Sequence, residues 1–197
     1  MTASSSAPLP GFHTPAASFD QPFDMLSACH ERVQRSLALL QRLQTHLRTQ
    51  GCDDSARLAA ADVLRYFDVA APLHHEDEEL HVFPPLLANG NVEIQALVRE
   101  LQQDHHQMES HWANARAVLL MVVNGTADTW VALTPEQTAA LHGFTALYND
   151  HIEREEQVVY PAAQVYLTPP ALQAMGDDMK RRRGQRLPAS NAGEASH

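Results

Sequence analysis

One pattern of eleven residues occurs twice in this chain. His74-His75-Glu76-Asp77-Glu78-Glu79-Leu80-His81-Val82-Phe83-Pro84 and His151-Ile152-Glu153-Arg154-Glu155-Glu156-Gln157-Val158-Val159-Tyr160-Pro161 both read H-x-x-x-E-E-x-x-x-aromatic-P. Residues four apart on a helix share a face. His74 therefore stands beside Glu78, and His151 beside Glu155. An imidazole next to a carboxylate on a helix face is half of a metal site, and two such halves demand a fold that turns them toward each other.

Each pair is preceded by a lone histidine, His30 before His74 and His105 before His151, and each of these is followed three residues on by an apolar residue, Val33 or Met108. The chain reads as an internal duplication: a helix with His, then a helix with His-x-x-x-Glu. That puts one or two ligands on each of four helices, and an all-α four-helix bundle gathers such ligands at one inward point.

Punctuation supports the helices. Gly51 ends the first, Asp53, Asp54 or Ser55 caps the second, Asn89-Gly90-Asn91 closes the second and opens the third, and Asn124-Gly125 ends the third. Thr134-Pro135-Glu136-Gln137 reads as a capping box opening the fourth. Apolar periodicity aims the ligands inward. His30 shares a stripe with Leu26, Val33, Leu37, Leu40 and Leu47, and His105 one with Leu97, Leu101, Met108, Trp112 and Ala115. His74 and Glu78 line up with Val63, Phe67, Ala71 and Val82, and His151 and Glu155 with Phe144, Tyr148 and Val158. Pro72 interrupts the second helix just before His74 and is expected to kink it.

At 197 residues and 44% hydrophobic content the chain suits one domain with a sizeable core. We expect a disordered leader over residues 1–20, the bundle over 21–168, and a short helix with a disordered tail over 169–197. Pro169-Pro170 should break the chain before that helix, and its basic end, Lys180-Arg181-Arg182-Arg183, reads as a solvated terminus complementing the helix dipole. A net charge of −10 argues against a nucleic-acid surface, and the 12 histidines are the unusual feature. Cys29 and Cys52 form no C-x-x-C, which fits a reduced, cytoplasmic setting. No segment has the apolar length of a membrane span or the form of a signal peptide.

Burying two ionised carboxylates costs several kcal/mol each unless they are paired or metal-bound, and no Lys or Arg falls on those stripes near Glu78 or Glu155. A metal centre accounts for all six groups at once. Mixed imidazole and carboxylate ligation suits Fe, Mn or Zn. With His30 and His74 at one ion, His105 and His151 at the other and the two Glu side chains between, the arrangement is dinuclear. No H-E-x-x-H of a zinc protease occurs, and the E-x-x-H order of ferritin-like sites is reversed here.

These residues, in the order H…HxxxE…H…HxxxE with a proline six residues after each Glu, resemble the hemerythrin-like HHE cation-binding family over roughly residues 20–168. The resemblance implies an up-down-up-down four-helix bundle around an oxo- or hydroxo-bridged di-iron centre, with His30, His74, Glu78, His105, His151 and Glu155 as ligands. The oxygen-carrying members have a second His four residues after the third-helix His, and an Asp five residues after the last His. This chain has Glu109 at the first place and Glu155, at spacing four, instead of the second. Glu109 is a candidate seventh ligand, and a carboxylate there favours the ferric state over reversible O2 carriage.

Tyr148, one turn before His151, is a candidate to line a ligand pocket. His81 is weighed as an outer partner or extra ligand. His75 and His106 are read as interfacial or exposed, His46, His111 and His142 as surface, and Cys29 as packing. The resemblance implies a di-iron module that binds O2, NO or iron in sensing, storage or protection, with no nucleic acid or membrane partner. The alternatives are a di-iron enzyme that activates O2 or peroxide or reduces NO, and a structural helical module with a zinc or vacant site.

Overall fold

The computed structural model describes residues 18–184. The leader expected over 1–20 and the tail expected after the last helix lie almost wholly outside the described residues. Among these residues all regular structure is helical. Helix α1 spans Pro22–Thr49. The next rod joins α2 (Asp54–Arg65), α3 (Ala71–Asp77) and α4 (Phe83–Asn89) end to end through π-helical turns at Tyr66–Ala70 and Glu78–Val82. Helix α5 spans Val92–Val123. A further rod joins α6 (Pro135–Ala146), α7 (Tyr148–Arg154), a π-helical turn at Glu155–Val159 and α8 (Tyr160–Tyr166), and α9 (Pro169–Arg182) follows. No helix among the described residues is long and apolar enough to cross a membrane.

The termini follow the local chemistry. Gly51 takes φ +83°, a left-handed conformation open to glycine, directly after α1. The Asp53 side chain accepts from the Ala56 N–H, and the Asn91 side chain from the Ile94 N–H. Thr134 and Gln137 form both arms of a capping box. The Thr168 hydroxyl caps α9, so Pro169 and Pro170 open that helix instead of preceding it; the first turn needs no N–H from them.

Each π turn directly precedes a helix whose opening turn carries proline: Pro72 after the first, Pro84 and Pro161 after the others. A proline cannot donate to the carbonyl one turn back. One extra residue in the turn resolves this, since the Phe83 N–H reaches the Glu78 carbonyl and the Tyr160 N–H reaches that of Glu155. The wider turn also changes which residues return to the inner face. The expected stripe placed Val158 inward, whereas Val159 and Tyr160 are buried and Val158 is exposed.

The core has two apolar clusters. One gathers Val33, Leu37, Leu40, Ala71, Met108, Leu119, Phe144 and Tyr148, the other Leu26, Val82, Phe83, Leu101, Val159 and Tyr160. The ligand candidates lie between them on every rod: His30 between Leu26 and Val33, His105 between Leu101 and Met108, His74 between Ala71 and Val82, and His151 between Tyr148 and Val159. Fully burying each Leu or Phe contributes about 1.5–3 kcal/mol, so a few such residues on each side offset the desolvation of the polar group that they enclose.

Helix α9 closes the second cluster with Met175 and Met179, both fully buried. Gly176 allows this approach, because a Cβ there would stand 2.0 Å from the Phe19 carbonyl oxygen. The basic end of α9 is not simply solvated. Arg182 and Arg183 both hydrogen-bond Asp77, a carboxylate with no solvent exposure, while Arg181 stays out in water beside Asp178. An ion pair that removes the charge of a buried Asp wins over free hydration of the arginines.

Candidate metal centre

Four imidazoles and two carboxylates, His30, His74, His105, His151, Glu78 and Glu155, converge between the apolar clusters, each no more than 5% exposed. Ligand atoms of His30, His74, Glu78 and Glu155 all lie within 4.8 Å of one another, as do those of His105, His151 and Glu155. Each carboxylate divides its oxygens between the two sides. Glu78 Oε1 is 3.4 Å from His74 Nε2 and 4.0 Å from His30 Nε2, and its Oε2 is 3.5 Å from His105 Nε2. Glu155 Oε2 is 3.1 Å from His30 Nε2, and its Oε1 is 3.1 Å from His151 Nε2 and 3.8 Å from His105 Nε2. Two positions result, one between His30 and His74 and one between His105 and His151, with both carboxylates spanning them.

The donor set fits cations. Glu78 Oε2, His105 Nε2, His151 Nε2 and both Glu155 oxygens are buried with no hydrogen-bond partner among the described residues, and all of them face this space. Orphaned acceptors of this kind are costly, and a bound cation would take up those lone pairs. Burial opposes charge on both carboxylates. Glu78, with Glu155 also beside it, is held well above the usual carboxylate range. At Glu155 the imidazoles of His105, His151 and His30 outweigh burial and hold it well below. Burial drives His74 well below the ordinary imidazole value, aided by the neighbouring His30, and so keeps a lone pair free.

The far nitrogens are held by residues that the sequence reading did not single out. His30 Nδ1 is 2.7 Å from Glu156 Oε1, whose other oxygen accepts from the Ser27 hydroxyl. His105 Nδ1 is 3.0 Å from Glu79 Oε1, whose other oxygen accepts from Gln102. His151 Nδ1 faces Asp104 Oδ2 at 3.3 Å, and Arg154 anchors that carboxylate. An imidazole whose far N–H is donated to a carboxylate is fixed in tautomer and orientation as a ligand. The signal for Glu79 and Glu156 was the doubled Glu of the repeat, since each second Glu reaches the lone His of a different rod. His74 Nδ1 is buried and has no hydrogen-bond partner among the described residues.

The aromatic of the repeat also takes part. Phe83 stacks near His105, with ring centroids 5.6 Å apart, and Tyr160 stacks near His30 at 5.5 Å. The two positions differ by one hydroxyl, which donates to Glu78 Oε1 and stands 3.3 Å from His30 Nε2.

Other candidates lie apart from the cluster. Glu109 is exposed and belongs to neither group of ligand atoms, because Met108 fills the inward place after His105 and Glu109 turns on toward water. His81 Nε2 pairs with Asp178 of α9 at 2.9 Å. Cys29 is a free, buried thiol outside both groups. Tyr148 is buried, packs on Phe67 and Phe144, and lines a cavity of about 510 Å³ between α3 and α5, together with His75, His105, Met108, Trp112 and Glu109. His75, expected at an interface or in solvent, stacks on His105 with centroids 4.1 Å apart and walls that cavity.

Comparison with known proteins assigns the chain to a family. The family model described as the hemerythrin HHE cation binding domain matches residues 21–163. An uncharacterized protein of Haemophilus influenzae is 31% identical over 169 residues, covering 85% of this chain and 92% of that protein.

Proposed function

We propose that this chain, which belongs to the hemerythrin HHE cation-binding family, holds two iron ions and uses them to bind O2, NO or iron itself in sensing, storage or protection. The ligands in this reading are His30, His74, Glu78, His105, His151 and Glu155, carried by four rods in up-down-up-down order. The observation that carries the reading is the division of each carboxylate between two imidazole pairs, with the remaining lone pairs unpartnered. One shared ion would leave one imidazole pair idle. Two ions use every group.

Iron suits the mixture of imidazole and carboxylate, with manganese and zinc as the chemically compatible alternatives. When bound, such a pair supplies an open position and exchangeable electrons for a small oxygen or nitrogen ligand. The chain's own part is to exclude water above and below with its two apolar clusters and to fix three imidazoles through Glu156, Glu79 and Asp104. The two free thiols support a reducing, cytoplasmic setting.

The test is elemental analysis of protein purified without added metal, with optical spectra taken anaerobically, then after O2 and after NO. About two irons per chain and near-ultraviolet bands that change with either gas are expected. In Glu78→Ala and Glu155→Ala at least one metal should be lost. Undiminished iron in both variants would sink the bridging assignment.

A further inference from the structure

The repeat supplies an internal control for the cavity between α3 and α5. Where one half has Ala71 and His75, the same positions in the other half hold Tyr148 and Ile152, both buried. A small residue, Ala71, and a partly buried imidazole, His75, leave room beside His105. A tyrosine ring and a packed isoleucine occupy the corresponding places in the other half. The two metal positions therefore have equivalent ligands but unequal surroundings: the His30 side carries the Tyr160 hydroxyl, and the His105 side adjoins a cavity of about 510 Å³.

That volume falls within the range of small-molecule sites, roughly 300–1,000 Å³, and is far larger than a diatomic needs. Its inner wall is apolar and aromatic, from Phe67, Met108, Trp112 and Tyr148. Exposed Glu76, Arg99, Gln103, His106 and Glu109 form a polar rim, and further polar groups stand at the metal side, where His75 stacks on His105 and Glu79 holds the His105 ring. The Tyr148 hydroxyl makes no hydrogen bond among the described residues, so it remains available to a guest. Inside that rim, apolar walls with His75 and Glu79 at the metal side select for a molecule of matching polarity.

We propose that this cavity binds a small organic molecule with an apolar, ring-sized body and a single oxygen function, seated with that oxygen toward His75 and Tyr148 beside the His105/His151 position. The inference rests on the metal reading for its orientation and on the cavity for its existence. The exogenous ligand then meets the His105/His151 position, and the His30/His74 position stays enclosed.

The probe is acetophenone, a phenyl ring with one carbonyl, read through quenching of Trp112 fluorescence in metal-loaded and metal-stripped full-length protein. The chain has two tryptophans, so Trp112→Phe leaves only Trp130 and should abolish the saturable quench. His75→Ile, which copies the other half of the repeat, should weaken binding about tenfold, the equivalent of roughly 1.4 kcal/mol. Glu109→Tyr narrows the exposed rim and should weaken it comparably, which keeps the test alive if His75→Ile fails to fold. Quenching that does not saturate, that persists in Trp112→Phe, or that is unchanged in the folded variants would overturn the proposal. Elemental analysis of the same samples separates the two readings. Two bound metals without saturable quenching removes the cavity site and leaves the metal centre, whereas saturable quenching in protein that holds no metal as purified and takes up none on loading removes the metal centre and leaves the cavity site.

Discussion

Glu79 and Glu156 show how much rests on residues that never touch the central space. Each offers one oxygen to a ligand imidazole of another rod and the other to Gln102 or Ser27. Glu156→Ala and Glu79→Ala should each lower metal affinity about 10–100-fold, whereas Glu153→Ala, on an exposed residue, should not; competition with a chromophoric chelator measures the difference. Glu78→Gln should separate stability from binding. The Glu78 carboxyl is held well above its usual range by burial and by Glu155, so a neutral amide is expected to raise the metal-free melting temperature while metal is lost, and a lower melting temperature would contradict this. The six central groups were legible because spacing four on an amphipathic helix leaves little choice of direction. Glu79 and Glu156 were marked only by the doubled Glu of the repeat, and because the pairing of Glu156 with His30 crosses between rods, no local spacing says which imidazole each one meets. Glu109 has the same spacing of four from His105, but in α5 the residue three on, Met108, takes the inward place, and Glu109 stands exposed outside both groups of ligand atoms.

Among the elements, the π turns and α9 departed most from expectation. A period of 3.6 continued through Glu155 points at Val158, and only the added residue before Pro161 turns Val159 and Tyr160 inward. The proline was visible in the sequence, but how the chain would accommodate it was not. Helix α9 was visible as a helix, yet its docking depended on a buried Asp77 that no pattern marked. Gly176→Ala forces a methyl against the Phe19 carbonyl and should free α9, seen as faster amide exchange in Met175–Met179 with the ligand rods still protected. The pH response of this contact follows from Asp178. Burial pushes its carboxyl up, but hydrogen bonds from His81 and Arg182 outweigh this and bring it to about 2. A carboxyl depressed in the folded state adds stability that is fully present above its unfolded value of about 3.9 and lost as pH falls toward about 2. Asp178→Asn should flatten the acid limb of α9 protection between those values, and an unchanged limb would refute it.

For the molecule as a whole, the site is a polar layer between two apolar clusters, so on the proposed metal reading binding and folding are linked. Ligand at one hundred times its dissociation constant stabilises by about 2.7 kcal/mol, which for a chain of this size corresponds to roughly 5–10 °C in melting temperature. Stripping with a chelator should lower the transition by that order, and a calorimetric scan that does not move would show that the cations bind without supporting the fold. The same contacts carry a consequence for the order in which the chain is made. The pairing of His30 with Glu156 spans 126 residues, and domains fold as units while the ribosome adds about 5–20 residues each second. For several seconds the nascent chain displays His30, His74 and Glu78 without Glu155, Glu156 or Tyr160. The first half thus emerges with its imidazoles unclaimed and open to whichever ion it meets. If the site holds the iron proposed above, its loading belongs to the end of synthesis, once the second copy of the repeat has emerged to close the layer.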